Sequence, residues 1–178
     1  MSNKHLLLGV SGSIAAYRSP DLCSSLRREG YEVKTILSKS AEQFVTKTSV
    51  QTMSHGKVYN NSDQLIDTWH PAHIELADWT EVAIIAPATA TTIGKLACGI
   101  ADGLLTETFL ALGPNVQKFI APAMNGNMLN QPSIQRNLEQ LNADGFTIIQ
   151  TRVGELACGY QGDGKLASTK EIIENLDN

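Results

Sequence analysis

Val82-Ala83-Ile84-Ile85-Ala86-Pro87-Ala88-Thr89-Ala90-Thr91-Thr92-Ile93 is the stretch that decides the fold. Its first five residues are apolar without alternation, the signature of a strand buried on both faces, and Pro87 ends the run. Helical spacing then carries Ile93 to Ile100. Outward from this unit the same grammar repeats. Leu6-Leu7-Leu8-Gly9-Val10 is a second buried strand, bounded by Ser11-Gly12-Ser13 and followed by a helix from near Ala15 to Arg28, with Leu22, Cys23 and Leu26 on one stripe and Gly30 as its stop. Val33 to Leu37, Lys118 to Ala121 and Phe146 to Ile149 read as further strands. Leu104 to Leu112 and Gln131 to Asp144 read as helices, and Ser168 caps a last one ending near Leu176. Ser40 is expected to cap a helix carrying Phe44 and Val45, and the polar stretch from Gln51 to Trp69 reads as loop. Strands separated by helices imply a doubly wound (Rossmann-like, flavodoxin-like) parallel α/β sheet with helices on both faces. No linker or composition break divides the chain, so residues 1–178 read as a single domain.

Composition narrows the function. The 178 residues are 42% hydrophobic, 18% charged and 6% aromatic, with a net charge of −4. That mix is globular rather than disordered, and it lacks both the basic run and the rings that nucleic-acid binding calls for. No window is long and apolar enough for a membrane span, and the N-terminal apolar run is too short for a secretory segment. Cys23, Cys98 and Cys158 are odd in number and widely spaced, so neither a disulfide framework nor a metal site is expected. The expected location is the cytoplasm.

In such sheets ligands sit beyond the carboxyl ends of the strands. Gly9-Val10-Ser11-Gly12-Ser13-Ile14 is not the dinucleotide fingerprint, and Ser38-Lys39-Ser40 stands where a dinucleotide site wants an acid. Gly12 and Ser13 either make a tight helix-initiating turn or bring backbone amides and a hydroxyl to a phosphorylated ligand. Thr89, Thr91 and Thr92 either cap a helix or hold a phosphate at its N-terminus. Two strand ends with hydroxyls and no acid suit a mononucleotide better than a dinucleotide. Asn125, in Pro122-Ala123-Met124-Asn125-Gly126-Asn127-Met128, either fixes a turn or offers its amide to a carboxylate or flavin edge.

His73 falls early in a short helix with Pro71 in its first turn, where the positive end of the helix dipole keeps a neutral base available, or it is a surface histidine. Cys23 and Cys98 lie in apolar helical patterns and are expected in the core. Cys158 lies among Gly154, Gly159, Gly162 and Gly164, a setting that lets a thiol approach and leave a site.

Taken together and in order, Gly12-Ser13-Ile14-Ala15, His73-Ile74-Glu75-Leu76, Pro87 to Thr92, Pro122-Ala123-Met124-Asn125 with Met128, and Leu156-Ala157-Cys158-Gly159 resemble the homo-oligomeric flavin-containing cysteine decarboxylases. The resemblance runs from about Leu6 to Ala167. It implies FMN held by Gly12, Ser13, Ile14, Ser38, Thr89, Ala90, Thr91, Thr92 and Met124, at the interfaces of a homotrimer or of a dodecamer of four trimers. It implies His73 as catalytic base, Asn125 on the substrate carboxylate, and Leu156, Ala157 and the proton-donating Cys158 on a flap over the substrate.

The implied reaction oxidises a cysteine-derived thiol to a thioaldehyde, loses carbon dioxide to give an enethiolate, and then reduces it. The implied substrate is 4′-phosphopantothenoylcysteine of coenzyme A biosynthesis, in the short bacterial form without the partner ligase domain. Oxidative decarboxylation of a C-terminal peptidyl cysteine is the alternative, and a regulatory flavoprotein subunit a lesser one. The intact Leu-Ala-Cys-Gly favours complete turnover. Three positions depart from the family pattern: Thr91 stands for the usual Asn, Leu129 for a common aromatic, and Asp78 where relatives often carry Lys or Arg.

Overall fold

Strands that are apolar on both sides demand cover on both sides, and the computed structural model, which describes residues 4–63, 69–155, 159 and 161–177, supplies it as three layers. The chain runs β1 (Lys4–Val10), a 3₁₀ turn at Ile14–Arg18, α1 (Ser19–Arg28), β2 (Tyr31–Leu37), a 3₁₀ turn at Ala41–Gln43, α2 (Lys47–Ser54), β3 (Val58–Tyr59), α3 (Ala72–Trp79) and β4 (Val82–Ala88). It continues through α4 (Ala90–Ala97), α5 (Leu104–Ala111), β5 (Gln117–Pro122), α6 (Gly126–Leu129), α7 (Pro132–Ala143) and β6 (Phe146–Ile148). β7 (Arg152–Glu155), β8 (Gln161–Lys165) and α8 (Thr169–Leu176) complete it. The central sheet has six strands in the order β3-β2-β1-β4-β5-β6, every neighbouring pair parallel.

Alternate residues of one strand feed two cores. Leu6, Leu8 and Val10 of β1 pack with Leu22, Cys23 and Leu26 of α1 and with Ile172 and Leu176 of α8. Leu7, one residue out of phase, packs with Leu76 of α3, Ile93 of α4, Phe109 of α5 and Leu141 of α7. All three leucines of β1 are fully buried, so the run tolerates no polar residue on either side. Pro20 starts α1 where its missing N–H costs nothing, and Ser168 closes a capping box with Glu171 on α8.

Several sequence expectations are corrected. The stretch from Gln51 to Trp69 is not simply loop: it holds the second half of α2 and then β3, which pairs Thr35 with Val58 and Ile36 with Tyr59 at the sheet edge. A strand of two residues has no period to detect. Ser40 makes no side-chain cap. Thr46 caps the helix that follows, its Oγ1 accepting from the Ser49 N–H at 3.1 Å. The helix expected from Ala15 begins as a 3₁₀ turn and becomes α-helical only at Ser19. β4 does not stop at Pro87 but continues to Ala88 across a shift in register. The glycine-rich stretch from Val153 to Lys165 contains the antiparallel pair β7 and β8. Among the described residues no helix is long and apolar enough to cross a membrane, and no cluster of metal-ligating side chains is present.

The two described cysteines differ. Cys23 is buried as expected, whereas Cys98 caps the end of α4 and is exposed, turned away from the face that buries Thr92, Ile93 and Leu96. Burial pushes the Cys23 thiol up to about 11, only partly offset by its contact with Thr35. Because the thiolate is the reactive species, brief alkylation of the native protein near pH 8 is expected to label Cys98 and leave Cys23 unmodified until denaturant is added. Peptide mapping checks this, and labelling of Cys23 in the folded protein would contradict its placement.

Candidate functional site

In this strand order β1 and β4 are neighbours whose following helices cover opposite faces of the sheet. The chain therefore parts between them at their carboxyl ends and leaves a crevice. Ser11, buried at the end of β1, spans the parting. Its hydroxyl donates to the Pro87 carbonyl at 2.8 Å and accepts from the Thr89 N–H at 2.8 Å, while its own N–H reaches the Pro87 carbonyl at 3.1 Å. Over this clamp opens a cleft of about 600 Å³, within the usual range of roughly 300–1,000 Å³ for small-molecule sites.

One wall comes from strand ends. Gly12 and Ser13 follow β1, Ser38, Lys39 and Ser40 follow β2, Thr89, Ala90, Thr91 and Thr92 follow β4, and Ala123, Met124 and Met128 follow β5. Gly12 is required here: a Cβ would lie 2.3 Å from the Ser40 Cβ, so the two loops approach backbone to side chain. The hydroxyls also organise the turns. Ser13 accepts from the Ala15 N–H at 3.3 Å and Ser38 from the Ala41 N–H at 3.2 Å. Thr89 accepts from the Thr92 N–H at 3.4 Å, with its Oγ1 3.2 Å from the Thr92 Oγ1. The structure thus shows Ser13, Ser38 and Thr89 in capping roles while the same residues line the cleft. The first amides of α4, at Ala90 and Thr91, have no preceding helical carbonyl to bond and face a site rich in hydroxyls, a combination that suits an anion.

The rest of the lining was missed by sequence reasoning. It is formed by Asn61 with Lys95, Asp102, Gly103, Leu105 and Thr106. Lys95 Nζ donates to Asp102 Oδ2 at 2.6 Å, and that hydrogen bond holds the Asp102 carboxyl below the ordinary carboxylate range. Asn61 Oδ1 accepts from the Leu104 N–H at 3.2 Å at the start of α5. Lys95 had a legible signal, its spacing of four from Thr91 on one helix face. Asn61 had none, lying in the stretch read as loop.

The remaining described candidates are not among the residues that line the cleft. Ile14 is 55% exposed at the start of the 3₁₀ turn. Asn125 is the cap of α6, its Oδ1 accepting from the Asn127 N–H at 2.8 Å. His73 is half-buried in the first turn of α3, its Nδ1 4.0 Å from Glu107 Oε2 of α5. The ring thus meets the positive end of one helix and a carboxylate from another, where the sequence showed only the first. Leu156, Ala157 and Cys158 lie outside the described residues. β8, the strand that follows them in the chain, is anchored beside Asn125. The Met124 N–H donates to the Gly164 carbonyl at 3.0 Å, and Gly164 has φ +97°, with a Cβ there landing 2.1 Å from the Met124 carbonyl oxygen. Of the departures from the family pattern, Thr91 lines the cleft, Leu129 is buried, and Asp78 is exposed on α3.

Comparison with known proteins follows the same lines. The flavoprotein family model matches residues 1–178. The chain is similar to the coenzyme A biosynthesis bifunctional protein CoaBC of Bacillus subtilis, 42% identical over 98% of this chain and 42% of that protein, so it spans less than half of that relative. It is similar over 98% of its own length and 97% of the other's to a probable phosphopantothenoylcysteine decarboxylase of Streptococcus mutans, at 40% identity. Among solved structures it matches a cysteine-to-serine variant of PPC decarboxylase complexed with pantothenoylaminoethenethiol, with TM-score 0.91 and 34% identity, covering 98% of this chain and 97% of that one.

The hairpin anchor generates a test. Gly164→Ala both strains a left-handed residue and drives a methyl into the Met124 carbonyl, a cost of roughly 1–3 kcal/mol. Hydrogen exchange at the Met124 amide is expected to accelerate by about tenfold or more, with amides in the middle of β1 unchanged. Unaltered protection at Met124 would show that the hairpin is not seated there.

Proposed function

The chain belongs to the flavoprotein family, and from that premise we propose that it is an FMN-dependent decarboxylase acting on the cysteine moiety of 4′-phosphopantothenoylcysteine to give 4′-phosphopantetheine in coenzyme A biosynthesis. The observation that carries this reading is the cleft at the β1/β4 parting, lined by hydroxyls and helix-start amides, with the Asn125 segment and the hairpin docked at its rim. These residues fit a flavin mononucleotide. Gly12, Ser13, Ser38 and Thr89 to Thr92 supply the amides and hydroxyls a phosphate and ribityl chain require, and Met124 adds an apolar surface. Ile14 would join them from the rim. When bound, FMN supplies reversible acceptance of the two electrons released as the substrate thiol becomes a thioaldehyde.

The chain's own residues handle protons and position. His73 takes the thiol proton on a ring nitrogen. Asn125 has its Oδ1 turned to the Asn127 N–H, so the amide end that meets the substrate carboxylate is Nδ2, which donates. With a C=S group two carbons from that carboxylate, the C–C bonding electrons pass onto sulfur as carbon dioxide departs, leaving an enethiolate. Cys158 then delivers a proton from the hairpin as the two electrons are returned, with Leu156 and Ala157 closing over the substrate. Overall a proton replaces carbon dioxide, and there is no net oxidation.

The assembly belongs to the same reading. His73, Ile14 and Asn125 stand outside the cleft lining of their own chain, while Ile14, Tyr17 and Trp69 expose large apolar surfaces. Copies arranged as a homotrimer, or four such trimers as a dodecamer, bring the α3 of one chain to the cleft of the next with FMN at the interface. The reading carries with it a cytoplasmic location.

Two measurements test it. Incubated with phosphopantothenoylcysteine, the protein is expected to form product lacking only carbon dioxide. A cysteine-ended peptide losing carbon dioxide together with two hydrogens, with phosphopantothenoylcysteine untouched, would favour the peptidyl alternative. No turnover of either by a flavin-loaded protein would favour the regulatory one. His73→Asn is expected to retain FMN while anaerobic bleaching of the flavin by substrate slows by roughly 10²–10⁴-fold. Loss of FMN from that variant would make the histidine structural.

A further inference from the structure

The lining of the cleft carries a cation held in a fixed frame. Lys95 Nζ donates to Asp102 Oδ2 at 2.6 Å. The Asp102 N–H in turn reaches the Thr106 Oγ1 at 3.2 Å, and the Thr106 hydroxyl donates to the Gly103 carbonyl at 3.0 Å. Lys95 is about one-third exposed, in contrast to Lys39, the other cation of the cleft lining, which is exposed and makes no ion pair among the described residues. An ammonium has three N–H donors. Asp102 occupies one, and among the described residues no second acceptor is bonded to it. Lys95 also follows Thr91 by four residues on α4, so the two share one face of that helix, and both line the cleft together with Thr92.

We propose that Lys95, steered by Asp102, is a phosphate-reading residue of the cofactor site: its ammonium donates a charge-assisted hydrogen bond to the phosphate monoester of FMN seated at the start of α4. This rests on the proposed cofactor. Hydroxyls and amides match the shape of a phosphate but bring no full charge, and Lys95 is the ordered cation of the lining that supplies one. Asp102 fixes where that charge sits without neutralising it inside the protein, since its side chain is 52% exposed and screened by water.

FMN and riboflavin differ only by the phosphate, so their affinities for the full-length protein stripped of flavin, followed by quenching of flavin fluorescence, test the assignment. Lys95→Met is expected to weaken FMN about 10- to 100-fold, the scale of one hydrogen bond to a charged group, to leave riboflavin within about twofold, and to flatten the salt dependence of FMN binding. Riboflavin binding reports that the cleft of the variant is folded, and Lys95→Arg is expected to keep most of the preference for FMN. Equal losses for both flavins, or an unchanged FMN-to-riboflavin ratio, overturn the role of Lys95 while leaving the flavoprotein reading intact. Failure of the unaltered protein to bind either flavin overturns both. A variant that keeps its preference for FMN but binds phosphopantothenoylcysteine more weakly places Lys95 on the substrate's phosphate instead and overturns the assignment.

Discussion

Everything at the functional end of the molecule depends on how the chain closes the gap between β1 and β4. The ladder between those neighbouring strands ends at Gly9 and Ile85, and beyond it their helices part to opposite faces, so the carboxyl ends need a further tie. Ser11 does so with one buried hydroxyl that both donates to the Pro87 carbonyl and accepts from the Thr89 N–H. A larger residue would part the strand ends, and an apolar one would leave the Thr89 amide without its partner, a loss of about 1–3 kcal/mol. The small polar residue at this point fixes the turn into α4, and with it the orientation of the amides and threonines that form the cleft.

The same economy leaves the capping residues that line the cleft with hydrogen-bonding capacity to spare. A hydroxyl has one proton and two lone pairs. Thr89 uses one lone pair on the Thr92 amide, and Ser13 and Ser38 accept one backbone N–H each. Each side chain is thereby locked in direction by its own turn, and what it has left is aimed consistently. A site built on caps is preorganised by the fold, because the interactions that start the helices also hold the binding groups in place.

How much of this was legible follows from where each signal is stored. β4 and β1 announce themselves because strands buried on both faces admit only apolar residues. Gly12, Ser13, Ser38, Met124 and the Thr89 to Thr92 turn could be gathered because parallel topology places all strand ends at one edge. β3 was invisible because two residues carry no period, although Tyr59 is buried. Cys98 was misplaced because apolar spacing continues through it while the helix does not. Asn61 and Asp102 join the cleft through long-range packing with no local pattern. The contact of His73 with Glu107 of α5 was equally silent, since it joins two helices more than thirty residues apart.

The β7–β8 pair illustrates how glycine lets two backbones lock together. Its return strand is fastened to the Met124–Gly126 segment by the Met124 N–H to Gly164 bond and by glycine at position 164, the residue that permits so close an approach. Asn125 sits between that anchor and α6, and its side chain is fixed by the Asn127 amide. The backbone of β8 and the turn that carries Asn125 are therefore fixed against each other: a side chain at position 164 or 126 would push them apart and shift Asn125 together with the start of α6.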